Sequence, residues 1–332
     1  MNDHTDTQDD TPLLFARALD GQGGGRVLDW AGARSCQPTA QEPVLWMHLC
    51  RNRPGVYEWL QEQVGIPEPT AELLTSDQTR PRAFREKNAL VATLRGINFN
   101  PGAEPEDMVS MQVWSDGVRV ITLRRFPLQT PRDVLAQIDQ GAGPTDAGAI
   151  VTQLTEAMVA RMNQSIIDMN DQIDTLEERD MDDDPDDMLN RIATIRRNCL
   201  GLQRHMGPQH VALEAISRDA PAWFEEHDRR EIAETIDRLR RYLDDIDVSK
   251  ESAVVLMDEL RTRALSSNER ATYMLTIVAG IFLPLGFLTG LLGINVGGMP
   301  GVDSGNAFWW VAGICAAIIV ILLVIFKRLR WL

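Results

Sequence analysis

The chain has 332 residues, and 33 Lys and Arg against 48 Asp and Glu give it a formal net charge of −15 at pH 7. An acidic balance of this size disfavours nucleic acid as a partner, because the phosphate backbone attracts basic surfaces. The four cysteines are scattered without a C-x-x-C pair, so they indicate no disulfide framework and suit a reducing compartment.

The amino-terminal part of the sequence predicts a short tail followed by a folded domain. Residues 1–11 are polar and Asp-rich without the apolar core of a signal peptide, so we expect a disordered acidic tail. Residues 12–145 alternate apolar runs with turn residues, which is typical of a mixed α/β domain. Strands are predicted over 13–18, 26–30, 44–50, 89–94, 108–114 and 118–124, and a helix over 54–64. Ser115-Asp116-Gly117 predicts a hairpin turn between the last two strands.

From about residue 146 the apolar spacing changes to that of long helices. An outer helix pair is predicted over 146–220, with an interruption at Gly207-Pro208 because proline removes a backbone donor. A stalk helix is predicted over 221–270, where apolar residues follow a heptad rhythm that breaks once at Lys250. Such a helix needs partners along its length, which indicates self-association.

Two uncharged apolar segments follow, at 271–292 and 308–326, and each is long enough to cross a bilayer as a helix. The loop between them, 293–307, contains one Asp and no Lys or Arg. Basic residues precede the first segment, and three more lie in the tail at 327–332. Positive residues stay on the cytoplasmic side. We therefore expect a membrane hairpin with both termini, and the domain at 12–145, in the cytoplasm.

Gly293-Ile294-Asn295 stands at the outer end of the first predicted span. With the long helix before it, the short loop and the basic ending, this motif resembles the CorA superfamily of divalent-cation transporters, whose signature at this place is Gly-Met-Asn. The variant with Ile294, followed by Val296-Gly297-Gly298, is similar to the zinc-transporting ZntB branch. The Met-to-Ile departure puts magnesium specificity in doubt and leaves family membership intact.

The resemblance implies an α+β cytoplasmic domain, a long helical stalk and two carboxyl-terminal transmembrane helices per subunit. It implies a funnel-shaped homopentamer in the bacterial inner membrane, with first spans around a central pore and second spans outside them. The cargo it implies is Zn²⁺ without a cofactor; the ZntB branch is associated with proton-coupled uptake, although efflux has also been ascribed to it. A magnesium, cobalt or nickel transporter of the same superfamily remains open, as does a membrane-tethered sensor or scaffold. The sequence shows no P-loop and no hydrolytic constellation, so an enzyme is not expected.

The proposed pore residues follow from the motif. Asn295 side chains, one from each subunit, would ring the pore mouth and accept hydrogen bonds from a hydrated cation. Steps of three and four residues back along the helix place further residues on the same face. These are Thr272, Leu275, Ala279, Leu283, Gly286 and Gly290. The alternative for the two glycines is that they only permit close helix packing.

Acidic residues along the predicted stalk are candidates for cytoplasmic cation contacts. Asp244, Asp258 and Glu269 are the selected positions, and a solvated helix face is the alternative for each. The acidic run at 182–187 is interpreted as a solvated turn. A negatively charged cytoplasmic funnel would raise the local cation concentration.

The histidines and cysteines do not predict a structural metal site. His48 and Cys50 would share one face of a strand, but two ligands do not complete a tetrahedral zinc site. His205 and His210 flank Gly207-Pro208 and are interpreted as ordinary surface histidines.

Overall fold

The computed structural model of the chain describes residues 11–178, 185–293 and 305–328. The chain forms two compact units: a first unit that ends at Met257 and a second unit that begins at Asp258.

The first unit contains one mixed sheet. Its strands are β1 (Leu13–Leu19), β2 (Gly25–Leu28), β3 (Val44–Cys50), β4 (Arg82–Glu86), β5 (Ala89–Gly96), β6 (Val109–Ser115) and β7 (Arg119–Arg124). Among the described residues these seven strands pair in the order β2-β1-β3-β7-β6-β5-β4. All neighbours are antiparallel except β3 and β7, which run parallel. The carboxyl ends of β3 and β7 therefore lie at the same edge of the sheet.

The sheet confirms the six predicted strands apart from their ends. The strand predicted over 26–30 is too long, because Asp29 caps a helix by accepting a hydrogen bond from the backbone N of Gly32. The hairpin turn is confirmed, with Gly117 at a φ of 95° between β6 and β7. The sequence missed β4, whose residues Arg-Ala-Phe-Arg-Glu lie at the sheet edge and show no buried alternation.

The helices of the described residues are bounded as follows. They are α1 (Trp30–Ser35), α2 (Val56–Trp59) with a π-helical turn (Leu60–Val64), α3 (Glu68–Thr75), α4 (Gln129–Asp139), α5 (Ala147–Ala160), α6 (Met162–Glu177), α7 (Pro185–Arg218), α8 (Glu226–Leu292) and α9 (Ala307–Arg328). The helix predicted over 54–64 is present as α2 and the π-helical turn. Residues 146–220 hold three described helices instead of a pair, because Arg161 separates α5 from α6.

The predicted interruption at Gly207-Pro208 is wrong. Helix α7 continues through Pro208, and residues on both sides of it, Met206 and Gln209, are buried. The side chain of Gln209 accepts a hydrogen bond from the backbone N of Arg95 in β5 at 2.6 Å. Packing against the sheet thus holds the helix together where one backbone hydrogen bond is missing.

The core lies on both faces of the sheet, which is why β3 is buried at almost every position. On one face Met47 and Leu49 belong to a cluster that includes Trp59 and Leu60. On the other face Trp46 is fully buried and its indole N donates to Thr122 of β7 at 3.0 Å.

Helix α8 confirms the heptad rhythm of the stalk within the first unit. Ile232, Leu239, Ile246 and Ala253 are fully buried at intervals of seven residues. The heptad rhythm has a lysine instead of an apolar residue at position 250. The ammonium group of Lys250 pairs with Asp247 and donates a hydrogen bond to Gln203 of α7 at 3.2 Å. The helix begins at Glu226, slightly later than the predicted start at 221.

Candidate functional site

Two helices in the described part of the chain, α8 and α9, contain stretches long and apolar enough to cross a membrane. No residue in the most apolar stretch of either helix is buried within the protein. The exposed side chains include Phe282 at 68%, Phe287 at 69% and Trp310 at 74%. Side chains of this size on a helix surface favour a lipid environment or contact with further copies of the chain.

Within the second unit α9 lies beside one face of α8. A Cβ atom at Gly280 would lie 3.1 Å from the ring of Phe326. Half-buried positions of α8 recur on the same side, at Ile277, Gly280, Ile281, Leu285 and Leu288. At about 100° per residue, this side is roughly opposite the face predicted to line a pore.

The residues predicted to line the pore are all exposed in the single chain. Leu275 and Leu283 are 69% and 72% exposed, and the other members of this set are small. They are Thr272, Ala279, Gly286 and Gly290. Together these six residues form a narrow face that α9 leaves uncovered, and we refer to it as the open face of α8.

The motif at the end of α8 is described only in part. Helix α8 ends at Leu292, and the backbone N of Gly293 donates to the carbonyl oxygens of Thr289 at 2.9 Å and Gly290 at 3.2 Å. This pattern closes the last turn of the helix. Ile294 and Asn295 lie outside the described residues.

The three selected acidic residues of α8 are exposed in the unit to which each belongs. Asp244 lies in the first unit, and Asp258 and Glu269 lie in the second. Two neighbouring acids instead have cationic partners, since Asp247 pairs with Lys250 and Glu259 pairs with Arg263. Residues 182–184 of the acidic run lie outside the described residues.

His48 is buried in the sheet and is held by a hydrogen bond. Its Nδ1 lies 2.8 Å from the hydroxyl oxygen of Thr122. Burial, together with the charges of Arg124 and Arg132, lowers the pKa of His48 to about 3. The imidazole is therefore neutral at pH 7 and does not titrate there.

The prediction that His205 and His210 are ordinary surface residues is wrong, because α7 continues through Pro208 and packs on the sheet. Both are half-buried, and burial with the charges of Arg95 and Arg204 lowers the pKa of His205 to about 4. Across residues 11–178, 185–293 and 305–328, no three His, Cys, Asp or Glu side chains are grouped so that they could hold a metal ion.

The sequence of the chain is similar to those of known transport proteins. The model of the family described as "CorA-like Mg2+ transporter protein" matches residues 41–328. The chain is 36% identical over 326 residues to the divalent cation transporter CmaX of Pseudomonas aeruginosa, covering 98% of each protein. It is 30% identical over 322 residues to the zinc transport protein ZntB of Yersinia enterocolitica, covering 96% of each.

Solved structures agree with these relatives. The structure of full-length CmaX matches with a TM-score of 0.85 at 35% identity, over 98% of this chain and 100% of that one. The CorA magnesium transporter from Methanocaldococcus jannaschii matches with a TM-score of 0.77 over 97% of this chain and 100% of that one. Its identity of 15% makes this a likeness of fold alone.

Proposed function

This chain belongs to the CorA-like Mg2+ transporter family, and on that premise we propose that it carries Zn²⁺ through a central pore of a homopentamer in the bacterial inner membrane. Relatives that match almost the whole length of the chain are described as transporters of divalent cations or of zinc, so it is a membrane transporter of divalent cations. The observation that carries the pore proposal is the open face of α8, whose last residue, Gly290, lies three residues before Gly293 of the motif.

Self-association is supported by apolar side chains that the single chain leaves uncovered. On the stalk part of α8, Val248 is 66% and Val255 is 62% exposed, although Ile246 and Ala253 on the same helix are fully buried. Copies of α8 packed side by side around an axis would cover these valines. In the second unit, copies of α8 that turn their open faces toward one axis would enclose a water-filled path.

In the proposed pore the open face and the motif have different roles. The small residues Ala279, Gly286 and Gly290 leave room for a cation that keeps its water shell, while Leu275 and Leu283 form apolar constrictions. At the mouth, the side-chain oxygens of Asn295 accept hydrogen bonds from the water around the ion. Neutral amide oxygens attract the hydrated ion without holding it as a ring of carboxylates would.

The direction of transport follows from the membrane potential. Moving one charge through 100 mV is worth ~2.3 kcal/mol, so a divalent cation gains ~4.6 kcal/mol on entering a negative interior. A passive pore would therefore mediate uptake of the cation. Zinc is proposed over magnesium because Ile294 replaces the methionine of the CorA signature and because several relatives are zinc transport proteins.

The direct test is ion flux into proteoliposomes that contain the purified full-length protein, with the interior held negative. We expect Zn²⁺ uptake to exceed Mg²⁺ uptake by about tenfold or more at equal concentration, which corresponds to ~1.4 kcal/mol of selectivity. Faster Mg²⁺ uptake would favour the magnesium-transporting alternative. Absence of flux for every divalent ion would favour the membrane-tethered sensor or scaffold.

We propose that proton coupling uses Glu269, and the alternatives are Asp258, Asp303, the histidines of the first unit and proton movement along water. Glu269 is exposed on α8 directly before the first span, whereas His48 and His205 are neutral at pH 7 because burial lowers their pKa values. We expect Glu269→Gln to weaken the dependence of Zn²⁺ flux on a pH gradient.

Glu259→Gln is the matched control, since Glu259 is already paired with Arg263. An unchanged pH dependence in the Glu269→Gln protein would assign the coupling elsewhere.

A further inference from the structure

A cleft of about 700 Å³ lies in the first unit, apart from every residue predicted to line the pore. It opens where β3 and β7 end, because the residues that follow these parallel strands meet at one edge of the sheet. The charged and aromatic side chains that line it are those of Arg51, Asp77, Arg95, Asp107, Arg125 and Phe126. Its volume is within the usual range for sites that bind small molecules.

Two arginines of the cleft converge on one carboxylate oxygen. Oδ1 of Asp77 accepts from Nη2 of Arg51 at 3.1 Å and from Nη1 of Arg125 at 2.9 Å. The side chain of Asp77 is 77% exposed, whereas that of Arg51 is only 2% exposed. An exposed aspartate therefore occupies the place where an oxygen of a bound anion would meet two guanidinium groups.

Arg51 also retains a donor without a partner. Its other guanidinium contacts go to the carbonyl oxygens of Thr75 and Ser76, and its buried Nε has no hydrogen-bond partner in the described structure. A buried donor left unsatisfied is unfavourable. Arg51 therefore retains hydrogen-bonding capacity that the described residues do not use.

Arg95 adds a further positive charge, and its described hydrogen bonds go to backbone and hydroxyl oxygens, while the carboxylate of Asp107 also lines the cleft. Arg95 donates from Nε to the carbonyl oxygen of Thr79 at 3.0 Å and from Nη1 to that of Met108 at 2.5 Å. Burial lowers the pKa of Arg95, and the charge of Arg204 lowers it further. The three arginines of the cleft outnumber its two aspartates, Asp77 and Asp107, and this local excess of positive charge within a chain of net charge −15 favours an anionic ligand.

The rim of the cleft offers an aromatic surface. Phe126 is 55% exposed, and the guanidinium carbon of Arg125 lies 5.3 Å from the centre of its ring. An exposed ring beside an arginine can stack against a planar heterocycle. We propose that the cleft binds a nucleoside phosphate, with Arg51, Arg95 and Arg125 contacting the phosphate groups and Phe126 stacking on the base.

The test is titration calorimetry on the full-length protein in detergent, with sodium ATP and sodium phosphate as probes and EDTA present to remove divalent ions. We expect saturable ATP binding that Arg125→Gln weakens about tenfold or more, the usual effect of losing a charge-assisted hydrogen bond. Arg85→Gln is the matched control, since the side chain of Arg85 is 40% exposed against 42% for Arg125. Each of these arginines lies 2.9 Å from one aspartate.

A second variant tests the contribution of the base separately from that of the phosphate groups. Phe126→Ala should weaken ATP binding severalfold and leave the affinity for inorganic phosphate unchanged. Unchanged ATP affinity in this variant would overturn the assignment of a nucleoside. Absence of saturable ATP binding, or equal losses in Arg125→Gln and Arg85→Gln, would overturn the site itself. None of these results depends on which cation the protein carries.

Discussion

Replacing Asn295 by alanine is expected to reduce Zn²⁺ uptake into proteoliposomes about tenfold or more while leaving the assembled oligomer intact. In the proposed pore each subunit contributes one amide oxygen to the mouth, so the substitution removes the whole ring of acceptors at once. The loss of even one hydrogen bond to the hydrated ion costs ~1–1.5 kcal/mol, which corresponds to roughly tenfold in rate if it is lost in the transition state. The measurement is initial Zn²⁺ flux at matched protein density.

Asn306→Ala is the control for this substitution. Asn306 is a second asparagine in the segment between the two spans, and its side chain is exposed. Its described contacts are made by its backbone oxygen, which accepts from the backbone N of Trp309 at 3.1 Å and of Trp310 at 3.2 Å. Alanine preserves those contacts, so flux should stay close to that of the native protein. If Asn295→Ala transports as well as Asn306→Ala, the amide does not form the pore mouth and a scaffold role gains support.

A second large effect is expected from Gly148→Ala in the first turn of α5. A Cβ atom at this position would overlap the Asp228 carboxylate, whose Cγ would lie only 2.6 Å away. Asp228 is 2% exposed and accepts a hydrogen bond from the backbone N of Glu225 at 2.8 Å, next to the start of α8. Burial raises the pKa of Asp228 to about 6, so displacing this carboxyl disturbs a group that is already poorly solvated.

We expect Gly148→Ala to lower the free energy of unfolding by ~1–3 kcal/mol, as overpacking of a well-filled site does. Thermal unfolding of the full-length protein in detergent, followed by tryptophan fluorescence, should show a Tm lower by several degrees.

Gly207→Ala is the matched control, because Gly207 lies inside α7 and a Cβ atom added there would meet no other atom within 4 Å. Alanine there should raise stability by ~0.5–1 kcal/mol through its better helix propensity. Equal effects of the two variants would contradict the packing described around Asp228.

Features that depend on local spacing were predictable from the sequence. The heptad residues Ile232, Leu239, Ile246 and Ala253 are buried as predicted, because the period of a helix alone decides which side chains share a face. The strand at Val44–Cys50 and the two apolar helices were recognisable for a similar reason, since each is a continuous apolar run of the right length. The resemblance built on Gly293 and its neighbours led to the family that the comparisons show.

Features that depend on partners distant in the sequence were decided by the tertiary structure. Strand β4 is polar and exists because β5 pairs with it, and α7 continues through Pro208 because the sheet supports it. The clearest case is the cleft lined by Arg51, Arg95 and Arg125. These residues follow or belong to different strands, and the strand order of the sheet brings them together. The spacing of residues along the sequence does not predict such long-range contacts. Hydrogen bonding between strands and burial of the sheet determine which distant segments become neighbours.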